Sequence, residues 1–208
     1  RTERLDRRIL AFIASGGASE PFDRLALDLF AYQRAGNAIY RAYCDEVLAG
    51  RAAPADWREL PGLWPVAWRM ADVVSFAPGD AVAEFRSSGT TAASRSRHLF
   101  DTLDLYRAAL AGPFAQAMLG LPAAAAGART GPILVLMPSP DEAPDSSLSF
   151  MMGEAIARFG RPDRSGFFVR DGRFLMEEFC DAARRVAAEG RPIVLASTAF
   201  GWVALLDW

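Results

Sequence analysis

The strongest chemical signal in the sequence is a run of hydroxyl side chains around one glycine, Ser87-Ser88-Gly89-Thr90-Thr91. The glycine allows backbone N–H groups to turn toward an anion, and the serine and threonine hydroxyls can donate to phosphate oxygens. Two arginines that follow shortly after, Arg95 and Arg97, are placed to neutralise phosphate charge. The pattern predicts a phosphate-binding loop, although the same composition also fits a polar turn between two strands.

The sequence disfavours several other kinds of site. Neither G-x-x-x-x-G-K-[ST] nor G-x-G-x-x-G occurs, and all 23 basic residues are arginine, so no lysine of this chain can take part in chemistry. A Ser-His-Asp hydrolase needs His98 and Asp101, but the G-x-S-x-G elbow is missing. One histidine and two distant cysteines, Cys44 and Cys180, lack the spacing of a zinc site, so we predict no metal centre. Both cysteines lie on apolar helical stripes, which favours buried, unreactive thiols.

Composition indicates a globular protein with a sizeable core. The 208 residues are 51% hydrophobic and 23% charged, with a formal net charge of -2, which excludes disordered and collagen-like chains. A negative net charge gives no general attraction to nucleic acids. No apolar run reaches the roughly 18 residues of a membrane span, and two cysteines do not make a disulfide framework. We therefore predict a cytoplasmic protein with no membrane span and no nucleic-acid partner.

The pattern of apolar residues divides the chain into two predicted regions. Residues 1–72 carry apolar side chains mainly at helical spacing, which predicts a helical N-terminal region. Asp23 is the predicted N-cap of its second helix. Residues 73–208 are predicted to form an α/β part. This part begins with three short predicted strands, at residues 73–76, 81–86 and 96–100.

Beyond residue 130, predicted strands and helices alternate. The strands are predicted at residues 133–137, 167–169 and 193–196, and the helices at residues 146–159, 173–188 and from 199 onward. Strands separated by helices predict right-handed βαβ crossovers and a mainly parallel sheet. Ligands of such a sheet bind outside the carboxyl ends of the strands. The candidate ligand loops are therefore Pro138-Ser139-Pro140, Arg170-Asp171-Gly172 and Ser197-Thr198.

The chain resembles the adenylate-forming enzymes, the superfamily of acyl-CoA synthetases, luciferases and peptide-synthetase adenylation domains. Residues 87–91 match the S-S-G-T-T core of the phosphate loop of that superfamily. The resemblance is closer to the acyl-protein synthetase (LuxE) family. The further blocks that are similar to that family span nearly the whole chain: Leu29-Phe30-Ala31-Tyr32-Gln33 with Asn37 and Tyr40, residues 94–98, Pro138-Ser139-Pro140 with Ser146-Ser147-Leu148, and Thr198-Ala199-Phe200.

The resemblance implies a reaction in which ATP and a carboxylic acid, a long-chain fatty acid in the luminescence systems, give an acyl-adenylate and pyrophosphate. The acyl group then moves to a cysteine thiol and on to a partner acyl-CoA or fatty-acid reductase subunit. Mg²⁺ is implied as well, although we identify no ligand for it in this chain. The implied fold is part of an adenylate-forming large domain, with a helical segment packed on a mainly parallel sheet. The implied ATP-phosphate contacts are Ser87, Ser88, Gly89, Thr90 and Thr91, with Arg97 and His98 as further charge contacts.

Two segments beside the predicted ligand edge are candidate walls of an acyl pocket. Ser147, Phe150 and Met151 lie on a predicted helix whose adjacent methionines would give an adaptable apolar groove. Thr198, Ala199, Phe200 and Trp202 follow the last predicted strand. Core packing explains these residues equally well.

The sequence also departs from the family pattern. Ala92-Ala93 follow the hydroxyl run, where the superfamily usually has glycine and then Pro-Lys. The Tyr-Gly-x-Thr-Glu motif, the ribose-binding aspartate and the C-terminal lysine of such enzymes are not found in these 208 residues. We therefore expect this chain to be the N-terminal part of an enzyme and to be inactive alone. Two alternatives stay open: a phenylacetate-type acyl-CoA ligase, and a non-catalytic adenylation-like module that binds a nucleotide or a partner protein.

Overall fold

A computed structural model describes residues 2–87, 95–122 and 131–208. About half of these residues are helical, and the chain is of the α/β class, as predicted. It divides into two compact units, Arg1–Ala108 and Ala109–Trp208, which we call unit 1 and unit 2. This geometric division lies further along the chain than the predicted boundary between residues 72 and 73. That boundary was drawn from sequence pattern and stays a prediction.

Unit 1 begins with helices and ends with a β-hairpin and the start of a further helix. Its helices are α1 (Thr2–Ala14), α2 (Phe22–Gly36), α3 (Ala38–Val47) and α4 (Ala67–Met70). Asn37 separates α2 from α3 because its backbone N–H donates to Gln33 O, while its side chain accepts from the N–H of Tyr40. The predicted N-cap at Asp23 was wrong. The helix begins at Phe22 after Pro21, so Asp23 lies in its first turn.

The hairpin of unit 1 pairs β1 (Ala83–Arg86) with β2 (Arg97–Phe100) in antiparallel fashion. These two strands confirm the second and third predicted strands with shorter bounds. The predicted strand at residues 73–76 was wrong, because this segment pairs with no strand in the described part of the chain. It passes close to the end of α2, where a Cβ on Gly36 would lie 3.2 Å from Cβ of Ser75.

Unit 2 contains a four-stranded mixed sheet in the order β5-β4-β3-β6. The strand β3 is parallel to both β4 and β6, which confirms the three predicted parallel strands. The fourth strand, β5, pairs antiparallel with β4. The strands of the sheet are β3 (Ile133–Pro138), β4 (Gly166–Arg170), β5 (Arg173–Phe174) and β6 (Val194–Ser197).

Four helices accompany this sheet. They are α5 (Asp104–Leu119), which crosses the boundary between the units, α6 (Ser147–Phe159), α7 (Met176–Ala188) and α8 (Ala199–Leu206). The predicted helix start at Arg173 was wrong, since Arg173 and Phe174 are the returning strand of a tight hairpin. Its two-residue turn is Asp171-Gly172, with φ of 51° and 71°. Both residues of a type I′ turn need positive φ, which explains the Asp-Gly pair.

The central strand β3 is buried on both faces. Ile133 and Val135 pack on one face against α5 and α6, including Phe114 and Phe159. Leu134 and Leu136 pack on the other face against α7. Helices on opposite faces follow from the strand order, because the chain first moves from β3 to β4 and then crosses back to β6. The direction of winding therefore reverses between β3 and β6, which is the position where open α/β sheets bind ligands.

Candidate functional site

The base of the predicted phosphate loop lies at the end of the hairpin in unit 1. Ser88, Gly89, Thr90 and Thr91 lie outside the described residues. Ser87 is described, and its N–H donates to Ser96 O over 3.1 Å. In return, the N–H of Ser96 donates to Ser87 Oγ over 2.9 Å. These paired bonds close the loop at its base, and the Ser87 hydroxyl keeps its proton for a further acceptor.

Arg97, the first of the two predicted charge contacts, is held by carboxylates. Its Nε donates to Glu84 over 2.8 Å, and its Nη1 donates to both oxygens of Asp72 over 3.0 and 3.1 Å. Arg86 also donates to Glu84. Hydrogen bonds from Arg97 and Arg86 lower the pKa of Glu84. A phosphate at Arg97 would have to compete with two carboxylates, so the geometry gives this predicted role no support.

His98, the second predicted charge contact, is neutral near pH 7 because burial lowers its pKa. Its ring stacks on Trp68 with centroids 5.8 Å apart, and Nε2 lies 3.1 Å from Ser96 Oγ. Within the described residues, no hydrogen bond joins His98 to Asp101, and Ser96 is buried. A Ser-His-Asp triad is therefore not assembled here.

Unit 2 contains an apolar groove of about 560 Å³, which we call the unit-2 groove. It lies beside the carboxyl ends of β3 and β6, at the point where the winding of the sheet reverses. Ser197, at the end of β6, is a hydroxyl residue of its lining. The apolar lining comes mainly from α5 and α6 with contributions from β3, β6 and α8: Leu110, Pro113, Phe114, Met118, Met137, Leu148, Met151, Met152, Leu195, Ala196 and Trp202.

Of the predicted acyl-pocket residues, Met151 and Trp202 line the unit-2 groove, and Ser147, Phe150, Thr198 and Phe200 do not. The hydroxyl of Thr198 instead caps α8 by accepting from the N–H of Gly201. Phe200 is 81% exposed.

The side chains that α5 contributes to the groove were not predicted. Leu110 and Phe114 recur at helical spacing and signal an apolar face of α5. Spacing alone does not say which other element that face meets. The methionine signal was more informative, because both Met151 and Met152 line the groove.

Hydrogen bonds show that the three predicted ligand loops lie at one edge of the sheet. The backbone N–H of Asp171, after β4, donates to Glu142 in the loop after β3 over 2.8 Å. Ser197 Oγ, at the end of β6, donates to Leu136 O over 2.9 Å. The carboxyl ends of these parallel strands thus form one surface, as the alternation of strands and helices predicts.

Unit 1 contains a separate cavity of about 460 Å³, which we call the unit-1 cavity. Its walls come from α1, α2, α3, α4 and the irregular segment at residues 71–76. Five lining residues come from α2 and the start of α3, namely Leu29, Tyr32, Gln33, Asn37 and Tyr40. Two carboxylates, Asp6 and Asp101, also line this cavity. The unit-1 cavity was not predicted, since α1 and the end of β2 are far apart in the sequence.

Neither cysteine has the surroundings of a reactive thiol at the protein surface. Cys44 is fully buried, and burial raises the pKa of its thiol, so it stays protonated. Cys180 is half-buried.

Across residues 2–87, 95–122 and 131–208, no group of three or more His, Cys, Asp or Glu residues is arranged to hold a metal ion. In the same residues, no helix has both the length and the apolar character needed to cross a bilayer.

Comparison with protein-family models, curated proteins and solved structures gives no match for this chain. Any functional inference must therefore depend on the residues and geometry of the chain itself.

Proposed function

We propose that this chain belongs to an adenylate-forming acyl-protein synthetase, which uses ATP to activate a fatty acid and passes the acyl group to a protein cysteine. The observation that carries the proposal is the unit-2 groove, an apolar surface at the carboxyl ends of β3 and β6. Open α/β sheets bind ligands at this kind of position. The hydroxyl run of residues 87–91, with its likeness to the adenylate-forming phosphate loop, adds the expected means of holding ATP.

The chemistry of the groove suits an alkyl chain. Its volume of about 560 Å³ falls in the range of small-molecule pockets, roughly 300–1,000 Å³. Methionine side chains are unbranched and polarizable, so Met118, Met151 and Met152 can adapt to a flexible chain. The Ser197 hydroxyl at the sheet edge already donates to Leu136 O, so it offers a ligand only its acceptor lone pairs. The groove therefore supports the long apolar part of the ligand, and we assign the carboxylate to no side chain of the groove.

The first proposed step forms a mixed anhydride. A carboxylate oxygen of the fatty acid attacks the α-phosphorus of ATP, the bond from that phosphorus to the bridging oxygen breaks, and pyrophosphate leaves with the bonding electrons. Hydroxyl and backbone donors around Gly89 would hold the phosphates in line and stabilise charge on the equatorial oxygens. Among the described residues, no group of three or more His, Cys, Asp or Glu side chains is arranged to hold Mg²⁺, and we assign no step to the ion.

The second proposed step transfers the acyl group to sulfur. A cysteine thiolate attacks the acyl carbon, the bond to the phosphate oxygen breaks, and AMP leaves. Cys44 does not fit the role of acceptor because it is fully buried and its pKa is raised. The proposed acceptor is therefore a cysteine other than Cys44, with a fatty-acid reductase subunit as the partner that takes the acyl group onward.

The proposal is tested by carboxylate-dependent exchange of pyrophosphate into ATP. The assay would compare the 208-residue chain with a longer natural chain that contains it, using straight-chain fatty acids and phenylacetate. We expect exchange by the longer chain with fatty acids and none by the 208 residues alone.

The other outcomes separate the alternatives. Exchange with phenylacetate, followed by transfer to coenzyme A, would replace the proposal by a phenylacetate-type ligase. Nucleotide binding without exchange by either chain and any acid would overturn the enzymatic proposal and favour a binding module.

A further inference from the structure

The unit-1 cavity brings two carboxylates to a concave surface. Asp6 of α1 and Asp101, just after β2, both line it. Burial raises the pKa of Asp6, and the negative charges of Asp101 and Glu3 raise it further. Among residues 2–87, 95–122 and 131–208, no salt bridge or hydrogen bond from a cation reaches Asp6 or Asp101. The cavity therefore carries negative charge that the described residues do not compensate.

Aromatic rings form a second part of the wall. Tyr32, Tyr40, Trp68 and Phe76 all line the unit-1 cavity. Two of these rings are held in place by neighbours. The hydroxyl of Tyr40 donates to Pro61 O over 2.8 Å, and Trp68 stacks on the neutral ring of His98. A ring face carries negative charge density and attracts cations, most strongly when the site excludes water.

The residues at the cavity argue against two other ligand classes. None of the described residues that line the cavity is an arginine, and the carboxylates would repel an anion. A metal ion prefers several oxygen ligands at close range, yet no group of three or more acidic, histidine or cysteine residues is arranged for a metal in the described ranges. Leu5, Ile9 and Val73 add apolar area to a wall that also contains the uncharged polar residues Gln33, Asn37 and Ser75, and this apolar area suits a cation that carries alkyl groups.

We propose that the unit-1 cavity binds an alkylated ammonium group, with Asp6 and Asp101 facing its charge and the aromatic rings facing its alkyl groups. Such a cation loses little hydration because its charge is spread over methyl or methylene groups, so aromatic faces and two carboxylates can replace water around it. The cavity shares no described lining residue with the unit-2 groove, and this proposal does not rest on the proposed acyl transfer.

Titration calorimetry with choline and with 3,3-dimethylbutan-1-ol tests the charge directly. The two molecules have the same shape, and carbon replaces the quaternary nitrogen in the alcohol. We expect choline to bind the 208-residue chain at least about tenfold more tightly than the alcohol, because cation–π and ionic attraction act on choline alone. Equal affinity for the two molecules, or no binding of choline, would overturn the proposal.

Variants then identify the carboxylates. Asp6→Asn should weaken choline binding about tenfold and Asp101→Asn about threefold, because Asp101 is more exposed and its charge is better screened. Glu46→Gln, an exposed acid outside the cavity, should leave the affinity unchanged. Circular dichroism checks that each variant folds. If Asp6→Asn does not fold, the Asp101→Asn variant and the comparison of choline with the alcohol still test the site. Unchanged choline affinity in both aspartate variants would contradict the proposed site.

Discussion

The unit-1 cavity and the unit-2 groove have similar volumes, about 460 and 560 Å³, but opposite chemistry. The cavity combines two carboxylates with aromatic rings, whereas the described residues that line the groove are apolar except for Ser197 and include the rings of Phe114 and Trp202. Volume alone therefore says little about the ligand of either site. The side chains at each surface indicate a cation for the first and an alkyl chain for the second.

The comparison depends first on whether the groove accepts an alkyl carboxylate. Leu148 lines the groove and is 38% exposed, so the chain can fold with a charge there. Leu148→Glu should weaken the binding of decanoate about a hundredfold, because the carboxylate repels the ligand head and needs water where the alkyl chain would lie. Titration calorimetry measures this effect.

Phe200→Glu is the matched control for Leu148→Glu. Phe200 is an exposed apolar side chain that does not line the groove, so decanoate affinity should not change. Choline affinity should be unchanged in both variants. A similar loss of decanoate binding in both would contradict the position of the groove, and would favour the sequence-based prediction that Phe200 belongs to the pocket.

The next prediction tests the close packing of α8 against the sheet edge beside the groove. A Cβ on Gly201 would collide with Ser197 Oγ and lie 3.0 Å from Leu136 O. Gly201→Ala must therefore displace the Ser197 hydroxyl, which donates to Leu136 O. We expect a loss of about 2 kcal/mol in the free energy of unfolding, measured by urea denaturation, because overpacking exceeds the gain from the better helix propensity of alanine.

Gly166→Ala serves as the control for Gly201→Ala. Gly166 lies in β4 of the same unit, and among the described residues no heavy atom outside Gly166 and its two chain neighbours lies within 4 Å of its Cβ position. Its replacement should leave the free energy of unfolding nearly unchanged. Equal destabilisation by both variants would mean that close packing at Gly201 is not the cause of the lower free energy of unfolding.

A third prediction concerns the hydroxyl run at residues 87–91. Simultaneous Ser88→Ala and Thr90→Ala should weaken ATP binding about tenfold, because each hydroxyl is expected to donate to a charged phosphate oxygen. The melting temperature should change little. Ser19→Ala, at an exposed serine elsewhere in unit 1, is the control. ATP affinity in the double variant equal to that of the parent, measured on a longer chain that binds ATP, would remove the proposed role of the loop.

The α/β class and the three parallel strands could be predicted from the sequence because each strand has its own local signal. Residues 133–137 are continuously apolar, as expected for a strand buried on both faces. The segment at residues 73–76 has a similar local pattern but no strand partner among the described residues. Strand formation needs a partner as well as suitable residues, and the sequence does not show whether a partner is near.

The candidate sites were less predictable than the fold. Met151 was predicted because adjacent methionines indicate an adaptable apolar groove, whereas Phe200 was predicted from its place after a strand. Position along the chain does not determine which side of a short helix faces a groove. The unit-1 cavity was missed because Asp6 and Asp101, nearly a hundred residues apart in the sequence, meet only through the fold.

The smallest predicted effect is a change in folding stability. It compares Glu84, which accepts hydrogen bonds from two arginines, with Asp6 of the unit-1 cavity. Glu84 accepts hydrogen bonds from Arg97 and Arg86, which lower its pKa from the ordinary value of 4.5. A lowered pKa means that ionised Glu84 stabilises the folded state above about pH 4.5. This contribution disappears as the pH falls through the lower folded-state pKa. Glu84→Gln should therefore reduce the free energy of unfolding by about 0.5–1 kcal/mol at pH 7, a small amount because the pair is partly exposed, and by less at pH 3.

Asp6→Asn should instead leave stability unchanged or increase it at pH 7, since burial and nearby negative charges raise the pKa of Asp6. Urea denaturation at the two pH values measures both variants, and a larger loss for Asp6→Asn than for Glu84→Gln at pH 7 would show that Asp6 has a stabilising partner and is not available for a cationic ligand.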